Sequence, residues 1–404
     1  MKSKLPTVAA MRARLVAGWC WLQRHLAPRS VTPTGWALLV GGLAAAALGW
    51  GRGWLEFRAL AVMALAVLLV AGLSVLRRRQ HDVKLELHRP RVQAGEPALG
   101  RVAVRAEGGR ASGAITMELP VGKAVASFRV GSLGPDDEHE ELFSIPTRRR
   151  GIVALGPVRS VQADPIGAIS RQKALTEQIE LYIHPRTVAV EAGIVGVLQD
   201  VEGVATTNLS SSDVSFHALR EYVPGDDRRA VHWRTTARTG KLMVRQFEET
   251  RRAHLLLLLS TLAADYGSDD AFEQAVSSAA SLGVAALRAD RQVTVLTSTG
   301  QLRFPSVLGL LDRFSGIELS EKGRGLRELA AASGGLSGVS VAVLIAGQPP
   351  VPALRAAQLA LPPGVRAFAI RCAAERLARR RAGGLVVLEV PTLDDLPVAV
   401  GRAL

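Results

Sequence analysis

Between Arg220 and Glu249 the chain gathers the side chains best suited to chemistry: Arg220, Tyr222, Asp226, Arg229, Trp233 and Arg238, with His217 and His232 close by. Several guanidiniums in one short stretch suit a phosphate or an acidic partner, because each offers oxyanions a planar fork of donors. Arg228, Arg229, Arg234 and Arg238 would form that surface. The same residues also support a purely structural role. Arg229 and Trp233 stand one helical turn apart, so the guanidinium can lie over the indole while Asp226 caps the helix and pairs with an arginine. Catalysis finds less to work with. Neither histidine has a partner at metal-ligand spacing, and no Ser-His-Asp set, HExxH motif or glycine-rich phosphate loop is visible.

The elements that must position these groups are short. Val223-Pro224-Gly225-Asp226 places Pro and then Gly where a type II turn wants a fixed φ followed by a positive one. Asp226 or Asp227 then caps a helix expected from about Arg228 to Arg238, with His232 on one face. Thr239-Gly240 ends it, Gly240 supplying the left-handed stop. Leu242, Val244 and Phe247 continue as a strand.

Arg220-x-Tyr222-x-Pro224-Gly225-Asp226, then Arg229, Trp233, Ala237-Arg238, Gly240 and Phe247-Glu248, resemble the signature of a bacterial family named domain of unknown function 58. Arg150-Gly151 through Gly156-Pro157 to Asp164-Pro165-Ile166-Gly167 is similar to that family's second landmark. The resemblance implies a C-terminal von Willebrand factor A-like domain and, as partner, a MoxR-type AAA+ ATPase that such a domain would serve as adaptor. Domains of that type end their first core strand in Asp-x-Ser-x-Ser, which with a distant Thr and Asp holds magnesium. Here Leu255–Leu259 runs into Ser260-Thr261-Leu262-Ala263-Ala264, so Ser260, Leu262 and Ala264 stand at the ligand positions. A magnesium site wants at least one or two carboxylates. A degenerate site is therefore expected, with no metal and no cofactor.

The formal charge of +14 invites a nucleic-acid reading until it is located. Residues 1–79 hold eleven Lys or Arg against Glu56 alone, which accounts for +10 and leaves +4 for residues 80–404. The soluble part shows no basic face interleaved with aromatics, so nucleic acid is not an expected partner. The basic residues instead flank two apolar runs, Thr34–Gly51 and Ala59–Leu76, each free of charge and long enough to span a bilayer. Trp36, Trp50 and Trp54 mark the ends of the first, and the excess of Lys and Arg outside the short loop puts both termini and the soluble domains in the cytoplasm. Before the first span, Val8, Met11, Leu15, Trp19, Leu22 and Leu26 recur at spacings of three and four, which suits a helix lying in the membrane plane. A disordered basic tail is the alternative. Cys20 and Cys372 form no disulfide framework, in keeping with a reducing compartment.

The expected organisation is α+β and multidomain: a basic leader (1–33), a transmembrane hairpin (34–79), an antiparallel β-sandwich (80–186), the signature segment (187–252) and a doubly wound, A-like α/β domain (253–404). The sandwich is read from short period-two runs such as Val83-x-Leu85-x-Leu87 and Ile115-x-Met117-x-Leu119, separated by turn material. In the last domain, strands at Leu181–Ile183, Leu255–Leu259, Val293–Leu296, Val341–Ala346, Ala367–Ile370 and Val386–Val390 alternate with helices. The helices are expected at Asp270–Ala289, with a capping box at Asp270 and Glu273, and at Ser306–Phe314, Leu326–Ala332, Pro352–Ala360 and Ala373–Arg380. Two functions follow from these residues. One is a non-catalytic, membrane-anchored scaffold or adaptor of the plasma membrane. The other is a metal-dependent binding protein or cell-envelope enzyme using Asp226 and Asp265.

Overall fold

The computed structural model describes residues 31–76, 81–106, 113–135, 137–164, 166–190, 215–248 and 253–401. The leader up to residue 30 with its in-plane helix, Cys20, Arg77–Arg79 and Pro165 lie outside the described residues. The chain forms two compact units. One comprises the residues up to Pro90, Pro97–Ile145 and Val153–Leu181; the other comprises Arg91–Glu96, Pro146–Ile152 and everything from Tyr182 onward.

The first unit begins with helices α1 (Pro33–Arg52) and α2 (Leu55–Leu76). Both are long and apolar enough to cross a membrane. The expected second span starts at Ala59, but α2 starts four residues earlier. The turn is only Gly53-Trp54, so Glu56 and Arg58 fall inside the helix, where Arg58 Nε reaches the Gly49 carbonyl at 2.9 Å. Pro33 opens α1 at the position where a missing N–H costs nothing, and Thr32 caps it by accepting from Gly35 N at 3.2 Å.

The cap is also a joint. Thr32 N donates to the Ala168 carbonyl at 3.0 Å, Val31 bridges Ile169, and a Cβ on Gly35 would sit 2.2 Å from the Ala168 oxygen. The second landmark builds this seat. Asp164 is buried and accepts from Ile166 N at 3.1 Å and Ile169 N at 2.6 Å, closing the turn that carries Ala168.

Ten strands follow in chain order: β1 (His81–Leu87), β2 (Arg91–Gln93), β3 (Ala98–Ala106), β4 (Ile115–Val121), β5 (Ala124–Val130), β6 (Glu138–Ile145), β7 (Gly151–Leu155), β8 (Arg159–Ala163), β9 (Ser170–Ala174) and β10 (Ile179–His184), of which β2, the start of β7 and the end of β10 belong to the second unit. β1, β3 and β6 make an antiparallel sheet. In a second sheet β4 pairs antiparallel with β5, β7 and β8, and β8 with β9. Val83, Val102 and Val104 of the first meet Ile115, Met117, Leu119, Val130 and Val158 in one core. The period-two pattern sends alternate side chains there, as at Ile115, Met117 and Leu119.

The second unit holds β11 (Ser215–Glu221), α3 (Trp233–Thr239), β12 (Met243–Glu248), β13 (His254–Leu259), α4 (Asp269–Arg288), β14 (Gln292–Thr297), β15 (Gly300–Leu302), α5 (Val307–Ser315), α6 (Leu326–Ala332), β16 (Val339–Ala346), α7 (Val351–Leu359), β17 (Arg366–Cys372), β18 (Ala378–Ala382), β19 (Leu385–Val390) and α8 (Leu396–Gly401). Its main sheet has the order β15-β14-β13-β16-β17-β19-β18. Its five inner strands are parallel; β15 and β18 are antiparallel edges. This is a doubly wound sheet, and β13 shows why. Leu255, Leu257 and Leu259 face one core with α4, α5 and α8, while Leu256 and Leu258 face another with α6 and α7. A strand with helices on both sides needs apolar side chains at every position.

Three expectations are corrected here. Ala373–Arg380 is not a helix: its alanines and arginines have helical propensity, but Ala378–Ala382 pairs with β19 as an edge strand with Arg379–Arg381 exposed. Leu181–Ile183 is not the first strand of this sheet, because β10 pairs in parallel with β2. The long helix starts from Ser268, which accepts from Ala271 N at 3.2 Å, so Asp270 and Glu273 form no capping box.

Candidate functional site

The signature is a two-stranded ribbon, β11 against β12, whose connection is elaborated into a turn, one 3-10 turn and α3. Asp226 N donates to the Val223 carbonyl at 3.0 Å and Gly225 has a φ of 114°, as the Pro-Gly pair predicts. Arg220 and Asp226 then close a fork, Nη1 to Oδ2 at 2.8 Å and Nη2 to Oδ1 at 2.7 Å, and the same carboxylate accepts from Val223 N at 2.9 Å. The Arg220 bond is the largest influence holding the Asp226 carboxyl below its ordinary range, with the Val223 N–H second. Tyr222 is half-buried, its N–H donating to the Leu242 carbonyl at 2.8 Å across the ribbon.

The single helix expected from Arg228 to Arg238 is broken. Asp227 caps a 3-10 turn at Arg228–Ala230, accepting from Arg229 N at 2.9 Å. Val231 then leaves helical geometry, is 6% exposed and bridges Val244, and His232 N donates to the Met243 carbonyl at 2.7 Å. Burying a β-branched side chain against the ribbon outweighs continuing a helix. His232 therefore is not a residue on a helix face but the N-cap of α3, its Nδ1 accepting from Thr235 N at 3.3 Å. Gly240 ends α3 with a φ of 69°.

The break separates Arg229 from Trp233. Among the described residues no cation–ring contact joins them, and Trp233 is 68% exposed. Arg228, Arg229, Arg234 and Arg238 likewise have no partner among the described residues. The ribbon, 215–248, holds seven Lys or Arg to four Asp or Glu, and two of the cations are taken up by Asp226 and Glu221. The side chains of His217, Phe247 and Glu248 lie outside what is described.

The loop after β13 is closed on itself. Ser260 is fully buried and donates to the Asp265 carboxylate; Leu262 N donates to Ser260 Oγ at 3.3 Å and Tyr266 Oη to the Ser260 carbonyl at 2.6 Å. Ala264 is exposed. Among the described residues no group of three or more His, Cys, Asp or Glu is placed to hold a metal.

Sequence reasoning missed a clasp around α5. Asp312 accepts a fork from Arg91, at 2.9 Å to Nε and 3.0 Å to Nη2, and lies 2.8 Å from His184 Nε2. Burial raises the Asp312 carboxyl pKa, but the two hydrogen bonds and the charges behind them outweigh it and hold the group below its ordinary range. Arg150, from the second landmark, is 4% exposed at its side chain and lies 3.1 Å from Glu273. It donates to the carbonyls of Phe314 at 3.0 Å, Ser315 at 3.4 Å and Ile317 at 2.5 Å, capping the negative end of α5. Its guanidinium also covers the Phe272 ring at 5.1 Å. The partners are separated by more than a hundred residues, so no local spacing could reveal them.

The fold and site together define a doubly wound α/β unit bearing an exposed basic ribbon, in a chain with two apolar N-terminal helices. Residues 218–310, from the ribbon into α5, match the family described as protein of unknown function DUF58. The chain is 31% identical to the uncharacterized protein YeaD of Bacillus subtilis (strain 168) over 144 residues, 35% of this chain and 34% of that one. The match thus spans about a third of the relative's length. Among solved structures, a CARDB domain from Pyrococcus furiosus is 16% identical, covering 26% of this chain and 93% of that one, with a TM-score of 0.20. A beta-glucosidase from Listeria innocua is 12% identical, covering 26% of this chain and 16% of that one, with a TM-score of 0.19. Likenesses that weak bear on neither fold nor function.

Proposed function

We propose that this chain is a non-catalytic adaptor, anchored in the plasma membrane by α1 and α2, with its soluble parts in the cytoplasm. The observation that carries the reading is the ribbon, which displays an exposed Trp233 among arginines that no described residue neutralises. Exposed aromatic and arginine side chains are the types that dominate protein–protein hot spots. The partner implied by the family resemblance is a MoxR-type AAA+ ATPase. Two sheets sharing one core support a sandwich, and the strand order, with a short antiparallel edge beyond β14, supports a von Willebrand factor A-like unit. Asp226 and Asp265, the carboxylates a catalytic or metal-dependent reading would use, are engaged by Arg220 and Ser260 respectively. The charge excess flanking the apolar helices favours the cytoplasmic orientation.

The test is affinity purification of the full-length protein from native membranes, with and without ATP. An AAA+ ATPase of the MoxR type should co-purify, and Arg229→Glu with Arg238→Glu should release it. Recovery of no such ATPase, or its unchanged recovery with the doubly substituted protein, refutes the reading.

A further inference from the structure

Doubly wound sheets bind ligands outside the carboxyl ends of their strands, at the point where the crossovers diverge. In this sheet that point lies between β13 and β16, and the chain fills it itself. Tyr266 hydrogen-bonds to Ser260 there, Gln348 N donates to the Asp265 carbonyl at 3.0 Å, and a Cβ on Gly347 would meet that same carbonyl oxygen at 2.4 Å. Farther along the same edge a cavity of about 490 Å³ is open, within the range of about 300–1,000 Å³ typical of small-molecule sites. Gln348 after β16, Arg371 of β17, Glu375, Arg376, Arg380 of β18 and Glu389 of β19 line it.

Its charges do not balance. Glu389 is 6% exposed, and its Oε1 lies 3.0 Å from Arg371 Nη1 and 3.2 Å from Arg380 Nε. With Arg371, Arg376 and Arg380 against Glu375 and Glu389, the lining is left with one positive charge over. Among the described residues Arg371 Nε is buried with no hydrogen-bond partner, so none of them repays the desolvation of that donor. Arg376, at the rim, has no partner among the described residues. The loop presenting it is strained: Ala373 has a φ of 54°, held by Gln274 Oε1 accepting its N–H at 3.0 Å and Gln348 Nε2 donating to its carbonyl at 2.8 Å. Two side chains fixing a left-handed alanine at a cavity mouth are the kind of local strain that folds retain at binding sites.

We propose that this cavity binds a phosphorylated small molecule, with Arg376 and the spare donors of Arg371 and Arg380 on the phosphoryl oxygens. Guanidinium forks match phosphate geometry, and the buried Glu389 keeps two of the three arginines pre-positioned without cancelling both. Independent of the ribbon, the site would make the unit responsive to a soluble metabolite.

Calorimetric titration of the full-length protein in detergent with inorganic phosphate, pyrophosphate and ADP tests it. Saturable one-to-one binding of at least one is expected, weakened about tenfold by Arg376→Gln, with no change in the melting temperature of the unliganded protein. Phosphate binding as tightly as ADP would assign the site to the ion; ADP binding more tightly than pyrophosphate would assign the remaining volume to a nucleoside. No saturable binding of any of the three, or binding unaltered by both Arg376→Gln and Arg380→Gln, overturns the proposal.

Discussion

Two sets of arginines in the α/β unit are built to opposite ends. Around α5, Arg150 is nearly without solvent, pairs with Glu273 and donates from Nη1 to three main-chain carbonyls, though its Nε has no hydrogen-bond partner among the described residues, while Arg91 forks onto Asp312. On the ribbon, among the described residues, Arg220 alone of the arginines is used in this way; Arg228, Arg229, Arg234 and Arg238 stand in solvent beside an exposed tryptophan. Arg150 and the ribbon's Arg229 and Arg238 all lie in the stretches that carry the family resemblance, so residue type alone does not separate a fastener from a contact surface. Burial and the count of satisfied donors do. A guanidinium with its donors occupied cannot be offered to a partner; one with none occupied contributes little to the fold.

The comparison breaks first at Arg150. Burial is the largest influence on both members of its pair, drawing the guanidinium down from its ordinary value and pushing the Glu273 carboxyl up. Removing the arginine strands that carboxyl and three carbonyls, so Arg150→Ala should cost about 3–5 kcal/mol in denaturant unfolding. A loss as small as that of a surface substitution would put Arg150 in the wrong set. Asp312→Ala removes one acceptor from two donors that are less buried, and about 1–3 kcal/mol is expected. Because the folded Asp312 carboxyl lies below its ordinary range, its contribution is present above the unfolded value and is lost as pH falls through the folded one.

A buried histidine at the start of β13 supplies a second pH dependence. Burial lowers the His254 pKa, outweighing the opposing hydrogen bond to the Ser337 carbonyl, and its Nε2 lies 2.8 Å from Thr294 Oγ1. A depressed histidine keeps full stability above its ordinary value of about 6.5 and loses it as pH falls from there toward the folded value, since only the unfolded chain then takes the proton. The melting temperature should fall across that window, and His254→Asn should flatten the slope. On the ribbon, Gly225→Ala forces a side chain onto a φ of 114° and should cost about 1–3 kcal/mol of local order, read as faster amide exchange in 215–248.

What could be read in the sequence follows the same division. Strands such as Leu255–Leu259 were legible because burial on two faces writes itself as an unbroken apolar run, and Pro224-Gly225 and Gly240 because positive φ selects glycine. The broken helix at Val231 and the edge strand at Ala378–Ala382 were not, because both depend on a partner strand that local propensity does not register. The α5 clasp and the Glu389 cluster escaped for a related reason. Arg91 and Asp312 are 221 residues apart, and nothing in either neighbourhood points to the other. Ser260 stands where the resemblance implies an aspartate, and nothing in its neighbourhood shows that Asp265 folds back onto its hydroxyl.

The smallest effect sharpens the contrast most. Arg229→Glu and Arg238→Glu remove cations that no described residue uses, so unfolding free energy should change by less than about 0.5 kcal/mol for each. Reversing charge on an interface rim slows association and alters its salt dependence, whereas truncating Trp233 should act on dissociation, as expected for a desolvated anchor. A partner whose capture weakens with salt and with Arg229→Glu, and whose release quickens with Trp233→Ala, would therefore be held by this ribbon. If the charge reversals instead lower stability as Arg150→Ala does, the ribbon's arginines are fasteners as well, and the surface offered to a partner must lie elsewhere.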